Sequence, residues 1–223
     1  MNMHPFRFAG ALLEALPSGA LHWPDQRLLV VSDLHLGKSA RLSAVGGAQL
    51  PPYETRETLA RLSSDLEATG AVRVICLGDS FDAPDVETAL PEDDLLWLSR
   101  MMAGRDWTWI EGNHDPGPVA LGGAHRAALR LGPLVFRHIA TEPGGEVSGH
   151  YHPKARLAAR GRVLSRPCFL VDEGRLILPA FGAYTGGLCT RSAVLSGLMG
   201  ENALAILTGA RPVAIPMPRA EAG

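Results

Sequence analysis

Cysteine is scarce in this chain of 223 residues: Cys76, Cys168 and Cys189 stand far apart and form no CxxC pair. That excludes a disulfide framework and a cysteine-built zinc site, and a reduced, cytoplasmic setting is the expectation. Aromatic residues are few at 6%, and neither sign of charge prevails, with 21 Lys and Arg against 23 Asp and Glu for a formal net charge of −2. The molecule as a whole is therefore not a basic coat for nucleic acid, and attraction to a polyanion has to come from a local patch. Long apolar runs are missing too. No stretch reaches the ~18 uninterrupted apolar residues of a membrane-spanning helix. Ala11-Leu12-Leu13 is broken at once by Glu14 and Pro17 and has no basic n-region of the secretory kind, so no secretion signal and no membrane association are expected. What is present is ordinary for a globular protein, 46% apolar and 20% charged residues. A single domain is expected over residues 1–210, with residues 211–223, which carry three prolines, as a flexible tail.

Gly, Pro and Asp punctuate the chain into short elements. Strands are expected at residues 6–9, 12–16, 21–23 and 28–31. A helix is expected at 54–68, where Leu59, Leu62 and Leu66 recur at helical spacing and Gly70 stands in the C-capping place. A strand at 72–77 precedes a second helix that starts at Pro91 with Glu92, Asp93 and Asp94 and stops at Gly104. A strand at 107–110 and a helix at 124–131 follow. Strands are then expected at 134–137, 146–148, 162–164, 168–171, 176–178 and 203–207. Helices alternate with strands early and strands dominate later, a pattern that points to a mixed α/β sandwich and not to a simple doubly wound sheet. Charge is uneven along the chain. Residues 82–94 hold six acidic and no basic residues, whereas residues 154–166 hold five basic and no acidic ones.

Five polar groups each follow an apolar strand run: Asp33 and His35 after LLVVS, GDSFD (residues 78–82) after VRVICL, GNHD (112–115) after WTWI and one residue, His138 after LVFR, and GHYH (149–152) after EVS. Ligands of α/β sheets gather outside the carboxyl ends of strands, so five such loops can meet in one crevice. Together they offer carboxylates (Asp33, Asp79), an amide oxygen (Asn113) and imidazoles (His35, His138, His150, His152), and no thiolate. Mixed nitrogen and oxygen ligation suits Mn²⁺, Fe or catalytic Zn²⁺. Seven ligands exceed the needs of one catalytic ion and suit two divalent ions that share a carboxylate.

These motifs, in this order, resemble the five motifs of the calcineurin-like metallophosphoesterases over roughly residues 28–190. SDLHLGKSARL, PPYETRETL, CLGDS and LPAFGAYTGG further resemble the ligase-associated DNA damage response endonuclease (PdeM) branch. Asp82 departs from that branch, which is expected to read GDSFH, and matches the broader GDxxD pattern. The resemblance implies a four-layer αββα sandwich of two mixed β-sheets and a binuclear-metal phosphodiesterase or DNA endonuclease. It implies DNA as substrate, and DNA repair beside an ATP-dependent DNA ligase, a helicase and an exonuclease. It also implies Asp33, His35 and His152 on one ion and Asn113, His138 and His150 on the other, with Asp79 bridging; Mn²⁺ is the first choice of metal, Fe or Zn²⁺ the alternatives. His114 becomes the general acid, Asp115 the residue that orients its imidazole, and Asp82 a support behind the ligands.

Lys38, Arg41 and Arg191 are candidates for substrate phosphate, against the plainer expectation of solvated side chains. The basic run at 154–166 begins two residues after His152 and reads either as a phosphate-attracting patch or as a solvated hairpin. Tyr184, in a Gly-rich turn, either lines the site or packs. His4, His22 and His125 match no motif and are expected to be structural or solvent-exposed. The rivals to a nuclease are a hydrolase of a small or lipid-linked phosphodiester or pyrophosphate with the same motifs, and a scaffold without activity; the latter predicts missing ligands, and all seven are present.

Overall fold

The first sheet holds, in spatial and chain order, β1 (His4–Phe8), β2 (Ala11–Ala15), β3 (Leu21–Trp23), β4 (Leu28–Val31), β5 (Arg73–Leu77), β6 (Asp106–Ile110) and β7 (Ala124–Arg126). β1 to β4 pair antiparallel and β4 to β7 pair parallel. The second is built from β8 (Ala128–Leu131), β9 (Leu134–Arg137), β10 (Glu146–Ser148), β11 (Lys154–Ala159), β12 (Arg162–Val171), β13 (Arg175–Ile177), β14 (Leu204–Leu207) and β15 (Val213–Pro216). Its order is β15-β14-β12-β13-β10-β9-β8, with β11 paired to β12 off that path. These features come from a computed structural model that describes residues 2–39, 53–82, 90–115, 121–159 and 161–220.

Alternation along the strands sets the layers. In β4, Leu28 and Val30 point to one side of the sheet and Leu29 and Val31 to the other; in β5, Ile75 and Leu77 oppose Val74 and Cys76. The first set joins Leu134, Phe136, Val147, Phe169 and Leu176 of the second sheet in a core between the sheets. The second set, with Trp107 and Trp109 of β6, packs under α1 (Glu54–Thr69) and α2 (Glu92–Met102) through Leu59, Leu62, Leu66 and Leu98. The outer face of the second sheet buries Cys168, Leu170, Ala205 and Leu207 against Leu195 and Met199, at and just after α3 (Ala193–Leu198). Helices, sheet, sheet and helix make the expected αββα order. Strands buried on both faces read as unbroken apolar runs, the pattern of Leu28–Val31 and of residues 74–77 in β5.

α1 carries Glu54 and Glu57 in its first turn, where carboxylates favour the positive end of the helix dipole. It ends on a left-handed Gly70 whose N–H donates to Leu66 O. Among the described residues, no helix is long and apolar enough to cross a membrane.

Three expectations fail. Residues 124–131 form no helix: Ala124–Arg126 adds to β6, and Ala128–Leu131 pairs with β9 in the other sheet. Ala and Leu favour a helix there, but the open edges of both sheets supply the hydrogen bonds. Leu129 and Leu131 alternate with more exposed Ala128 and Arg130 in turning toward the inter-sheet core. The Pro-rich end is not loose throughout, because Val213–Pro216 pairs antiparallel with β14. Pro216 closes that edge strand, a place where a missing N–H is tolerated. Residues 162–164 and 168–171 are parts of one strand, hairpin-paired to β11.

Candidate metal centre

The candidate ligands, with Asp82, His114 and Asp115, lie just past the C-terminal ends of strands. Asp33 and His35 follow β4, Asp79 and Asp82 follow β5, Asn113 to Asp115 follow β6, His138 follows β9, and His150 and His152 follow β10. The loops after β4 and β5 run side by side, with the N–H groups of His35 and Leu36 donating to Asp79 O and Ser80 O at 2.9 Å each. Gly149 ties the β10 loop in, its N–H donating to His138 O at 2.9 Å. Room between the loops is minimal. A Cβ on Gly149 would stand 1.7 Å from Ser32 Oγ, and one on Gly112 would stand 2.2 Å from Asp79 N. Glycine in GNHD and GHYH is thus dictated by the close approach of neighbouring motifs.

Asp33, His35, Asp79, His150 and His152 all have positive φ, and only Ala9, Arg27 and Tyr184 join them among the described non-glycine residues. Left-handed backbone is costly for such residues and concentrates at functional sites, where surrounding bonds hold it.

The side chains form two groups, Asp33 with His35 and His152, and Asp79 with His138 and His150; within each, the candidate ligand atoms lie within 4.8 Å of one another. In the first group, Asp33 Oδ2 accepts from the Ser32 hydroxyl and from the His150 N–H. His35 Nδ1 donates to Asp82 Oδ1 at 3.0 Å. That leaves Asp33 Oδ1, His35 Nε2 and His152 Nε2 buried with no hydrogen bond. Asp33 Oδ1 and His152 Nε2 stand 3.0 Å apart without the alignment for one. In the second group, His138 Nδ1 donates to Leu77 O at 2.7 Å. Its Nε2 then faces Asn113 Oδ1, His150 Nδ1 and Asp79 Oδ2 at 3.0, 3.2 and 3.4 Å. Lone pairs outnumber protons at both places, and only positive charge satisfies them. Oxygen and imidazole donors without sulfur fit two divalent cations.

Burial opposes the charges on Asp79, Asp33, His138 and His150, and opposite charges and hydrogen bonds outweigh it at the first three. Burial pushes the Asp79 carboxyl up, but hydrogen bonds from His138 and the His114 N–H, with the His138 charge, hold it well below the usual carboxylate range. Asp33 is likewise held low, against burial, by His152, His138 and Ser32. Burial lowers His138, and Asp79 and Asp33 more than reverse that. His150 moves down, from burial and from the charge of His138.

His114 is exposed above the first group, with its ring edge-on to His35 at a centroid separation of 5.6 Å, and its backbone N–H donates to Asp79 Oδ1 at 2.9 Å. Asp115 does not take the expected place behind the His114 imidazole. Its carboxylate accepts the backbone N–H groups of Asp79, Ser80 and Phe81 at 2.9, 2.7 and 3.3 Å, so it braces the loop that carries Asp79. Burial, followed by the charge of Asp79, raises its pKa against the pull of those amides.

Two cavities flank the centre. One, of about 390 Å³, is lined by His152, Arg61, Lys154 and Tyr184; the other, of about 340 Å³, by Asn113, His138 and Arg137. Lys38 lies near enough to Lys154 to lower its pKa, after the larger effect of burial. Arg191 is exposed before α3 and is not among the described residues lining either cavity. Arg41 lies outside the described residues. Sequence reasoning missed Ser32 and Arg61, and the Leu77 carbonyl as the partner of His138. Ser32 stands beside Asp33, a signal that was there to use; a main-chain acceptor leaves no mark in sequence.

Residues 26–168 match the family model for calcineurin-like phosphoesterases. Among solved structures, the crystal structure of Pseudomonas putida nuclease MPE is similar, with a TM-score of 0.74 and 32% identity over 95% of this chain and 100% of that one. No curated protein matches.

Proposed function

The chain belongs to the calcineurin-like phosphoesterase family and is a metal-dependent phosphoesterase, and from that premise we propose that it is a DNA endonuclease. The observation that carries the phosphoester chemistry is the meeting of two groups of candidate ligand atoms just past the ends of β4, β5, β9 and β10, the first with Asp33 Oδ1, His35 Nε2 and His152 Nε2 buried and without a hydrogen bond. The nuclease reading is supported by the similarity to the Pseudomonas putida nuclease MPE. In this reading Asp33, His35 and His152 would hold one cation and Asn113, His138 and His150 the other, with Asp79 as the carboxylate they would share. Mn²⁺ is the first choice of ion and Fe or Zn²⁺ the alternatives, since imidazole, carboxylate and amide donors suit all three. When bound, such a pair lowers the pKa of water and neutralises charge on phosphoryl oxygens.

The protein groups do the rest. Asp82 and the Leu77 carbonyl fix the tautomers of His35 and His138, so that each presents Nε2 inward. His114, on the open side, carries a proton to the leaving oxygen. Asp115 keeps Asp79 in register by holding three successive amides. The resemblance to the PdeM branch supports a cytoplasmic role in DNA repair beside an ATP-dependent DNA ligase, a helicase and an exonuclease.

The test is hydrolysis by metal-free protein resupplied with Mn²⁺, on bis-p-nitrophenyl phosphate and on labelled single-stranded and duplex DNA, with Asp79→Ala as control. Cleavage of diester and DNA, both lost in Asp79→Ala, is expected. Diester cleavage with DNA left intact would sink the nuclease and favour a small-molecule substrate.

A further inference from the structure

Tyr184 combines features that a packing role does not explain. It is 53% exposed, it holds a left-handed backbone with φ 55°, and it lines the same cavity as His152. The loop around it is over-determined. Phe181 and Gly182 donate to Ser32 O and Asp33 O, tying the turn to the first ligand group, and Ala183 N donates to Thr58 Oγ1 at 3.0 Å. On the far side, Lys154 Nζ donates to Thr185 O at 2.8 Å. The chain is thus anchored on both sides of a single exposed aromatic ring beside the metal centre, and strain of this kind persists where a function needs it.

Cationic groups lead away from that ring. Lys154 lines the cavity. In β11, Ala155 is buried and Leu157 packs toward the outer core, so Lys154 and Arg156, two residues apart, share the opposite face. Arg156 is exposed and pairs across to exposed Ser165 on β12. Lys38 approaches Lys154 closely enough for the two charges to interact. Among the described residues lining the cavity, Glu57 is the only carboxylate.

We propose that Tyr184 is a stacking platform for an unpaired nucleobase next to the cleaved phosphate, and that Lys154 and Arg156 carry the adjoining backbone of a single strand along the β11–β12 hairpin. Every base has a π-face, so such a platform fits a strand without regard to sequence, and the cations supply the affinity. The inference rests on the nuclease reading above.

The test compares wild type, Tyr184→Ala, Tyr184→Trp and Arg156→Ala on a single-stranded oligonucleotide, its duplex and bis-p-nitrophenyl phosphate. Binding of the labelled single strand by metal-free protein is followed by anisotropy across a salt series. Tyr184→Ala is expected to lower kcat/KM on the single strand roughly ten- to hundredfold relative to the small diester, with Tyr184→Trp restoring most of it. Arg156→Ala is expected to flatten the slope of log affinity against log salt by about 0.7, the value for one phosphate contact on a single strand. An equal loss on oligonucleotide and small diester would overturn the proposal and make Tyr184 a structural residue. A deficit larger on duplex than on single strand would overturn the single-strand track in favour of a base flipped from duplex. Failure of the nuclease reading shows in wild type, as inert DNA, whereas failure of the stacking platform shows only in the variants.

Discussion

At the scale of single residues, the centre is defined by where its ring nitrogens are made to point. Asp82 occupies His35 Nδ1 and Leu77 O occupies His138 Nδ1, so both rings are aimed before any ion arrives. His114 is different: it is exposed, and the bond that ties it to the centre runs from its backbone N–H to Asp79 Oδ1 and leaves its imidazole on the open side. His114→Ala is therefore expected to keep its metal content, measured by elemental analysis, and to lose about 10²- to 10⁴-fold in kcat on diesters with poor leaving groups. Loss on p-nitrophenyl esters should be much smaller, because that leaving group needs no proton. Loss of metal from the variant would make His114 a ligand. The motifs singled out Asp33, His35, Asp79, Asn113, His138, His150, His152 and His114, and the structure gathers Asp33, His35 and His152 in one group and Asp79, His138 and His150 in another. The role of Asp115 was not, because the same carboxylate can reach a neighbouring ring or a neighbouring loop, and only the approach of residues 79–81 decides which.

At the scale of elements, close packing of loops is what turns separate strand ends into one site. Gly149 has Ser32 Oγ and Asp33 Oδ2 where a methyl group would go, at 1.7 and 2.6 Å. Gly149→Ala is expected to displace Asp33 and abolish Mn²⁺-dependent hydrolysis, while circular dichroism still reports a folded chain. Removing the obstacle in Ser32→Ala/Gly149→Ala should recover part of the activity, and a Gly149→Ala protein as active as wild type would refute the packing argument. Most strands and both long helices were readable from periodicity and capping, Gly70 among the clearest signals. The segment at 124–131 was not, since Ala, Arg and Leu favour a helix locally and only two waiting sheet edges made β7 and β8 the better use of its hydrogen bonds. β15 was hidden for a similar reason: a Pro-rich sequence has weak strand character until β14 offers an edge.

At the scale of the whole molecule, three cores hold four layers together, and one buried carboxyl works against them. Asp65 on α1 is 2% exposed and its Oδ2 has no hydrogen bond. Burial raises its pKa, and Ser18 and Arg61 pull it back without cancelling the effect. A carboxyl whose pKa is raised by folding favours the native state below its unfolded pKa of ~3.9, and that advantage fades as pH rises through the folded value. Asp65→Asn is therefore expected to raise Tm at pH 7.5, with the gain shrinking toward pH 4; a lower Tm at pH 7.5 would show that the charge is needed by Arg61. The amino-acid sequence by itself determined the chemistry, because metal ligation demands particular side chains and these stand in short motifs beside strand runs. It also determined the alternation that builds two sheets with helices outside. Tertiary structure alone decided how the donors divide into two groups and what Asp115 braces. It likewise decided that Tyr184 faces solvent beside His152, and that residues 124–131 serve two sheets. Those outcomes depend on distances between residues far apart in the chain, set by how the two sheets and their loops pack against each other.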